Sequence, residues 1–520
     1  MKKINWFIIL PTLIWIIVGI YGIIFNISYI DEAKYIIKGW LILTGQIKYY
    51  LTENFIYQHM PGSLLWFGLG QKLFGPSLLV GRIQSFLTGL LVLISSFLLG
   101  KRLGGKIGGI VCLALLSLVP VTALDYSASV PQSLVVLMLL MGFNYFYDGL
   151  VKKHETRFLL ASIFFSLAFI VRENFLFTLI LYIGFLVMVY RNNLKQFVKH
   201  IGVILITLGI FIIPGYPGTI EVLRNFPGIS HLLPINFAER EVLSLYWKEG
   251  LQTPELHLRA IKEFGEIFHA WILIWGLIFY NILKKKEWKT WKIKTALELF
   301  MIFLVGVTVF NFMIHNWAAF KLSPRAIISY FSYVAPLVAV IMTALIVPKI
   351  KTKKIQKKML TGYLGLLILA PIGVRFARIF AIPTRYPDLR VINESVKKIE
   401  PLVKSKDKIL WLTEPIGLYL AGRVSYYPLI HHTGFFKPSN DTMTVRRLGF
   451  WNEQMLVEWL AEADLVVIGE NKMKLLKQAP KVKYLADFIE TELETKFELI
   501  GKRDDMWPKN LWFYKPLAEK

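Results

Sequence analysis

Apolar runs of about 17 to 25 residues, long enough to cross a bilayer core as helices, recur from Trp6 to about Arg378 and then stop. Hydropathy and the polar breaks between runs predict about eleven spans, near 5–27, 78–100, 107–124, 130–148, 158–171, 174–190, 201–216, 269–283, 296–314, 326–348 and 359–378. No small-residue cleavage site interrupts the first run before Asn26, so it is expected to stay as an anchor. A pattern from 31 to 45 reads as an interfacial helix, and the Pro-containing polar segment 217–268, with helical stretches at 239–248 and 255–264, is long enough to cover a cavity.

From 380 the texture changes. Short β-rich runs at 409–412, 424–429, 465–468 and 511–514 alternate with helical patterns at 451–462 and 484–494, which predicts a small α/β domain. No Gly-rich phosphate loop follows a strand there, so the domain reads as a lid or an acceptor-binding module rather than a nucleotide site. The expected fold is an α-helical polytopic membrane protein, residues 1–379, followed by an extracytoplasmic α/β domain, residues 380–520.

Composition agrees: 55% of residues are hydrophobic and the mean hydropathy is +0.51, too apolar for a single soluble domain. The net charge of +25 changes the picture only through its placement. Before residue 380 there are 38 Lys plus Arg against 16 Asp plus Glu, and from 380 onward 22 against 19, so the membrane part carries +22. Lys2 and Lys3, and the basic residues of 101–106, 152–157, 191–199, 284–294 and 349–358, fall in every second loop, as cytoplasmic loops do. This predicts a cytoplasmic N-terminus, a C-terminal domain on the outer side, and no nucleic-acid partner. The one cysteine, Cys112, lies inside an apolar run and supports neither an intrachain disulfide nor a thiolate metal site.

Charges at the outer membrane edge are costly and are not explained by the positive-inside rule, so they mark candidate chemistry. Asp31 and Glu32 leave the first span in Ser28-Tyr29-Ile30-Asp31-Glu32-Ala33-Lys34-Tyr35. A capping role, with Ser28 as N-cap, is compatible with a catalytic one, because a helix N-terminus keeps a carboxylate ionised as a general base requires. Tyr57 and His59 stand before the second stretch, in Tyr57-Gln58-His59-Met60-Pro61, where interfacial aromatics also serve as anchors. Arg82, Arg172 and Arg325 all fall on the outer side. Each alone is explained by snorkelling or pairing with a carboxylate, whereas three on one face favour an anion-binding cavity.

The order of these elements resembles the GT-C glycosyltransferases, more narrowly the protein O-mannosyltransferase group that includes the lipid A aminoarabinose transferases. It is carried by Asp31-Glu32 after the first span, Tyr57-Gln58-His59-Met60-Pro61, Leu73-Phe74-Gly75, Gly81-Arg82-Ile83, Lys101-Arg102-Leu103-Gly104-Gly105, Leu167-Ala168-Phe169-Ile170-Val171-Arg172, and Pro324-Arg325 with Tyr330, Tyr333 and Pro336. Family members often have His-Pro-Pro or Lys-Pro-Pro where this chain has His59-Met60-Pro61, and an acidic residue where Gln132 stands, for which Asp125 is the candidate substitute.

The resemblance implies a catalytic membrane domain taking a polyprenyl-phosphate-sugar donor from the outer leaflet. Asp31 matches the position of the base, Glu32 would orient it or the acceptor, and Arg82, Arg172, Arg325 and His59 would stabilise the leaving phosphate. The expected acceptor is an extracytoplasmic glycan, lipid or protein, transfer inverts the anomeric centre, and other partners are membrane lipids. Two adjacent carboxylates are a poor ligand set, so metal-independent transfer and no cofactor are expected, with a divalent cation as the alternative. A transporter or flippase of a lipid-linked sugar would need the same anion-binding cavity but no base. A scaffold whose soluble domain recruits partners is a third reading, against which the membrane-edge arginines argue. Lack of an internal repeat weighs against transporters built from related halves.

Overall fold

The computed structural model describes residues 6–26, 30–47, 60–215, 254–285, 295–317, 330–349, 361–363, 365 and 387–517, apart from 405, 428, 430–435, 437–440, 448–450 and 479–482. Two compact units interleave along the chain. One comprises Met1–Ile23, Ser85–Ile210 and Gly250–Pro383; the other comprises Ile24–Gln84, Phe211–Glu249 and Thr384–Lys520. The second thus takes in residues 24–84 as well as the C-terminal residues.

The first unit is helical. It holds α1 (Trp6–Phe25), most of α4 (Leu78–Ser117), the short α5 (Val121–Asp125), α6 (Gln132–Leu150), α7 (Glu155–Val171), α8 (Leu176–Tyr190), α9 (Leu194–Ile212), α10 (Pro254–Lys285), α11 (Ala296–Asn311) and α12 (Ala335–Ile346). Seven helices of the described residues are long and apolar enough to span a membrane. Large apolar side chains face outward, with Ile17 51% exposed on α1 and Ile206 67% on α9, a surface that suits lipid and not water. The protein is a multi-pass membrane protein. The predicted spans 78–100 and 107–124 form one long element broken at Gly104 (φ −144°) and Gly105 (φ 62°); the second lies in the left-handed region that glycine tolerates, and here the basic 101–106 turn falls. The span expected at 359–378 falls largely outside the described residues.

Aromatic rings fill the helix interfaces. Phe146 of α6 lies 5.1 Å from Phe303 of α11 and 5.0 Å from Phe185 of α8, with Phe143 5.2 Å from Phe165 of α7. At one end of this layer the buried Asp148 accepts bonds from Arg102, Lys152 and Arg157, tying α4, α6 and α7 together.

In the second unit, α2 (Ile30–Leu43) and α3 (Pro61–Phe74) pack at Gly39 and Gly68, where a Cβ on either would collide with backbone of the other. The C-terminal residues form a four-stranded sheet in the order β1 (Ile409–Leu412), β2 (Leu465–Gly469), β4 (Leu511–Pro516), β3 (Phe497–Arg503). Strands β1 and β2 are parallel and buried on both faces, as their unbroken apolar sequences require. Leu410, Leu412, Val466 and Ile468 face one core, with Trp451, Met455 and Ile489; Ile409, Trp411, Leu465 and Val467 face the other, with Ile399 and Phe513.

Two sequence expectations change here. Described residues of 424–429 form no strand; instead the Ser425 hydroxyl accepts from the Trp411 N–H and donates to the Ile409 carbonyl, so one side chain satisfies the edge of β1. Strand β3, not foreseen, is an exposed edge whose residues are mostly uncovered on both faces, so burial leaves no alternating pattern in its sequence.

Two joints connect this sheet domain with the α2–α3 hairpin. The ring of Tyr419, on the helix Ile416–Leu420, meets Trp40 edge-on at 5.5 Å. Its hydroxyl donates to Gln71 Oε1 at 3.2 Å, and the same oxygen accepts from the Ser77 N–H while Gln71 Nε2 donates to the Ser77 carbonyl.

Candidate functional site

The head of α2 divides the acidic pair. Asp31 is exposed on the first helical turn, with the helix dipole at its back, whereas Glu32 is fully buried. Glu32 is held by Arg82 in a two-pronged ion pair: Nε donates to Oε1 at 3.0 Å and Nη2 to Oε2 at 2.8 Å, with both side chains 0% exposed. Nη1 donates to the Asn26 carbonyl at 3.1 Å. The structure therefore places Arg82 on the end of α1 and the start of α2, where it fixes the turn that presents Asp31. A helix entry 50 residues upstream is pinned by one guanidinium, and the geometry of Asp31 rests on it.

Sequence reasoning passed over the lysines that follow Asp31 along α2. Lys34 and Lys38, one turn apart on α2, are each only 7% exposed. Burial, reinforced by the charge of Lys34, lowers the Lys38 amine from 10.5 to about 7. Because the folded chain binds this proton less tightly than the unfolded chain, stability should rise between about pH 7 and about pH 10.5 and fall as pH drops through the folded value. Lys38→Met should flatten that part of the stability–pH curve, measured by thermal melting in detergent; an unchanged slope would refute it.

In the helical unit a second constellation forms around Arg172, at the break between α7 and α8. Its guanidinium carbon lies 5.1 Å from the ring centre of Tyr333 and 5.7 Å from that of Tyr330. Beside them His315 stacks on Tyr333 at 4.9 Å and packs on Phe175 at 4.7 Å, and Asn174 Nδ2 stands 3.3 Å from its Nδ1. His315 sits in a π-helical turn, Phe312–Trp317, that continues α11, a distortion often found at functional sites. The sequence offered little to find it: one histidine at the end of an apolar run, where a polar side chain is costly.

Asp125 closes α5 and is 3% exposed. Burial raises its carboxyl well above the usual carboxylate range, against a hydrogen bond from Ser332, and its Oδ2 has no hydrogen-bond partner among the described residues. The neighbouring Tyr126 hydroxyl donates to the Ser332 carbonyl at 2.7 Å. Asp125 is thus linked through Ser332 to the segment carrying Tyr330 and Tyr333. Tyr57, His59 and Arg325, and the proposed cap Ser28, lie outside the described residues. No group of three His, Cys, Asp or Glu that suits a metal occurs among the described residues.

The sequence model of the dolichyl-phosphate-mannose-protein mannosyltransferases matches residues 58–215. No curated protein matches the sequence. Among solved structures, ArnT from Cupriavidus metallidurans bound to undecaprenyl phosphate is similar with a TM-score of 0.58 at 11% identity, over 99% of this chain and 98% of that one. Its apo state gives 0.56 at 12% identity, over 98% and 97%. The Archaeoglobus fulgidus oligosaccharyltransferase in complex with zinc and sulfate gives 0.51 at 11% identity, over 98% of this chain and 73% of that chain. The protein therefore has the GT-C glycosyltransferase fold over nearly its whole length, with a stretch at 58–215 that resembles the protein mannosyltransferases in sequence as well.

Proposed function

We propose that this protein is a membrane glycosyltransferase that moves a sugar from a polyprenyl-phosphate carrier to an acceptor on the outer side of the membrane, with inversion at the anomeric carbon. The observation that carries the reading is the state of the acidic pair: Glu32 is neutralised by Arg82, while Asp31 stands exposed at a helix N-terminus as an available base. Fold similarity supports it, since ArnT has been solved with undecaprenyl phosphate bound. Alternation of the basic loops supports a cytoplasmic N-terminus and an extracytoplasmic C-terminal domain.

In this reading the acceptor hydroxyl or amine attacks the anomeric carbon, its proton passes to the Asp31 carboxylate, and the bond from carbon to the phosphate oxygen breaks with its electron pair on the phosphate. No covalent enzyme intermediate is needed. Arg172, Arg325 and His59 supply positive charge for the leaving phosphate, a role they share by their place in the sequence. Arg82 and Glu32 act indirectly, by holding the turn that bears Asp31.

A divalent cation is not part of the proposal, because Glu32 is committed to Arg82 and leaves Asp31 alone of the pair to offer a ligand. Transfer should keep its full rate in EDTA; a loss restored by magnesium or manganese would overturn this. The reading itself is tested by incubating the purified protein with polyprenyl-phosphate sugars extracted from host membranes, together with acceptor membranes. A transferase cleaves the sugar from the carrier and liberates polyprenyl phosphate, whereas a flippase returns the donor intact.

A further inference from the structure

The imidazole of His315 is buried, 1% exposed, and its two nitrogens are unequal. Asn174 Nδ2 is an amide nitrogen and can only donate, so at 3.3 Å from Nδ1 it makes that ring nitrogen the acceptor. The ring is then neutral with its proton on Nε2. That Nε2–H has no hydrogen-bond partner among the described residues. A buried donor without an acceptor is rare in a folded protein, and one fixed in tautomer by a second side chain is oriented toward an acceptor that arrives from elsewhere.

What surrounds it sets the chemistry of that acceptor. Arg172, 5.1 Å from the centre of the Tyr333 ring on which His315 stacks, adds a permanent positive charge to the cluster, and the rings of Phe175, Tyr330 and Tyr333 wall it. A cation, a neutral N–H donor and aromatic walls together fit an anionic oxygen carried on an apolar chain. The π-helical turn Phe312–Trp317 accounts for the placement: one extra residue in the turn shifts the register of a helix end locally, here at His315.

We propose that His315 donates its Nε2–H to a phosphate oxygen of the polyprenyl-phosphate carrier, with Asn174 as the residue that fixes the imidazole tautomer. This rests on the glycosyltransferase reading above, in which Arg172 marks the end that takes the carrier's phosphate. Loss of one hydrogen bond to a charged phosphate should weaken carrier binding about tenfold to a hundredfold.

The test uses the full-length protein in detergent and two probes, undecaprenyl phosphate and undecaprenol, with binding followed by native mass spectrometry. His315→Phe keeps the ring packing and removes the donor. It should lower the affinity for undecaprenyl phosphate about tenfold to a hundredfold and leave undecaprenol binding and the melting temperature unchanged. His315→Gln, which returns an N–H, should recover part of the loss, and Asn174→Leu should give an intermediate one. If His315→Phe binds undecaprenyl phosphate like the parent, or loses both lipids equally, the assignment of His315 is wrong while the glycosyltransferase reading stands. If the parent protein itself does not prefer the phosphate to the alcohol, both fall.

Discussion

Replacing Asp31 by asparagine is expected to lower the rate of sugar transfer by about 10²- to 10⁴-fold while leaving carrier binding unchanged, because the amide fills the same space but accepts no proton. The substitution is benign for the fold: Asp31 is exposed, and the buried ion pair beneath it belongs to its neighbour. The lost rate should therefore appear in kcat, with the apparent KM for donor little altered. Asp31→Glu moves the carboxylate by about one carbon–carbon bond and should recover only part of the rate, since misplacement by about 1 Å costs about 10²-fold. A transporter of lipid-linked sugar would keep most of its flux in both variants, so the pair of substitutions separates the two readings.

The second large effect is on stability. Arg82→Met strands the buried Glu32 carboxylate, and Glu32→Leu strands the Arg82 guanidinium; each should destabilise the protein by about 3–5 kcal/mol. The combined Glu32→Leu and Arg82→Met change removes both charges together and should recover most of that loss, because two apolar side chains of similar volume pack without uncompensated charge. Thermal melting of the four proteins gives the coupling directly, and simple additivity of the single losses would contradict a buried pair. Activity should not return in the double variant to the extent that stability does, since the Arg82 bond to the Asn26 carbonyl goes too and the turn bearing Asp31 is freed.

Much of the fold was legible because a lipid-facing surface imposes length and polarity on every element. Runs at 5–27 and 130–148 became Trp6–Phe25 and Gln132–Leu150, and the basic residues of 101–106 marked the break between 78–100 and 107–124. The acidic pair was legible as a pair, but its division of labour was not: Glu32 and Arg82 are 50 residues apart, and nothing local says which of two adjacent carboxylates faces inward. Arg82 read as an outward anion ligand for the same reason. Lys34 and Lys38 resemble any amphipathic helix face until the residues that bury them are in place. His315 and Asn174, 141 residues apart, meet only because a π-helical turn and the break after α7 bring them together, and neither distortion has a sequence signature of its own. Strand β3 escaped because an exposed edge strand imposes no alternation on its side chains.

The central claim, that Asp31 drives consumption of a lipid-linked sugar, is tested most directly in lipid extracts of cells carrying either the parent protein or Asp31→Asn, compared by mass spectrometry. Accumulation of one polyprenyl-phosphate sugar in the Asp31→Asn cells is the predicted result, and its mass names the donor. Identical extracts, with the variant protein present and folded in the membrane, would contradict the account.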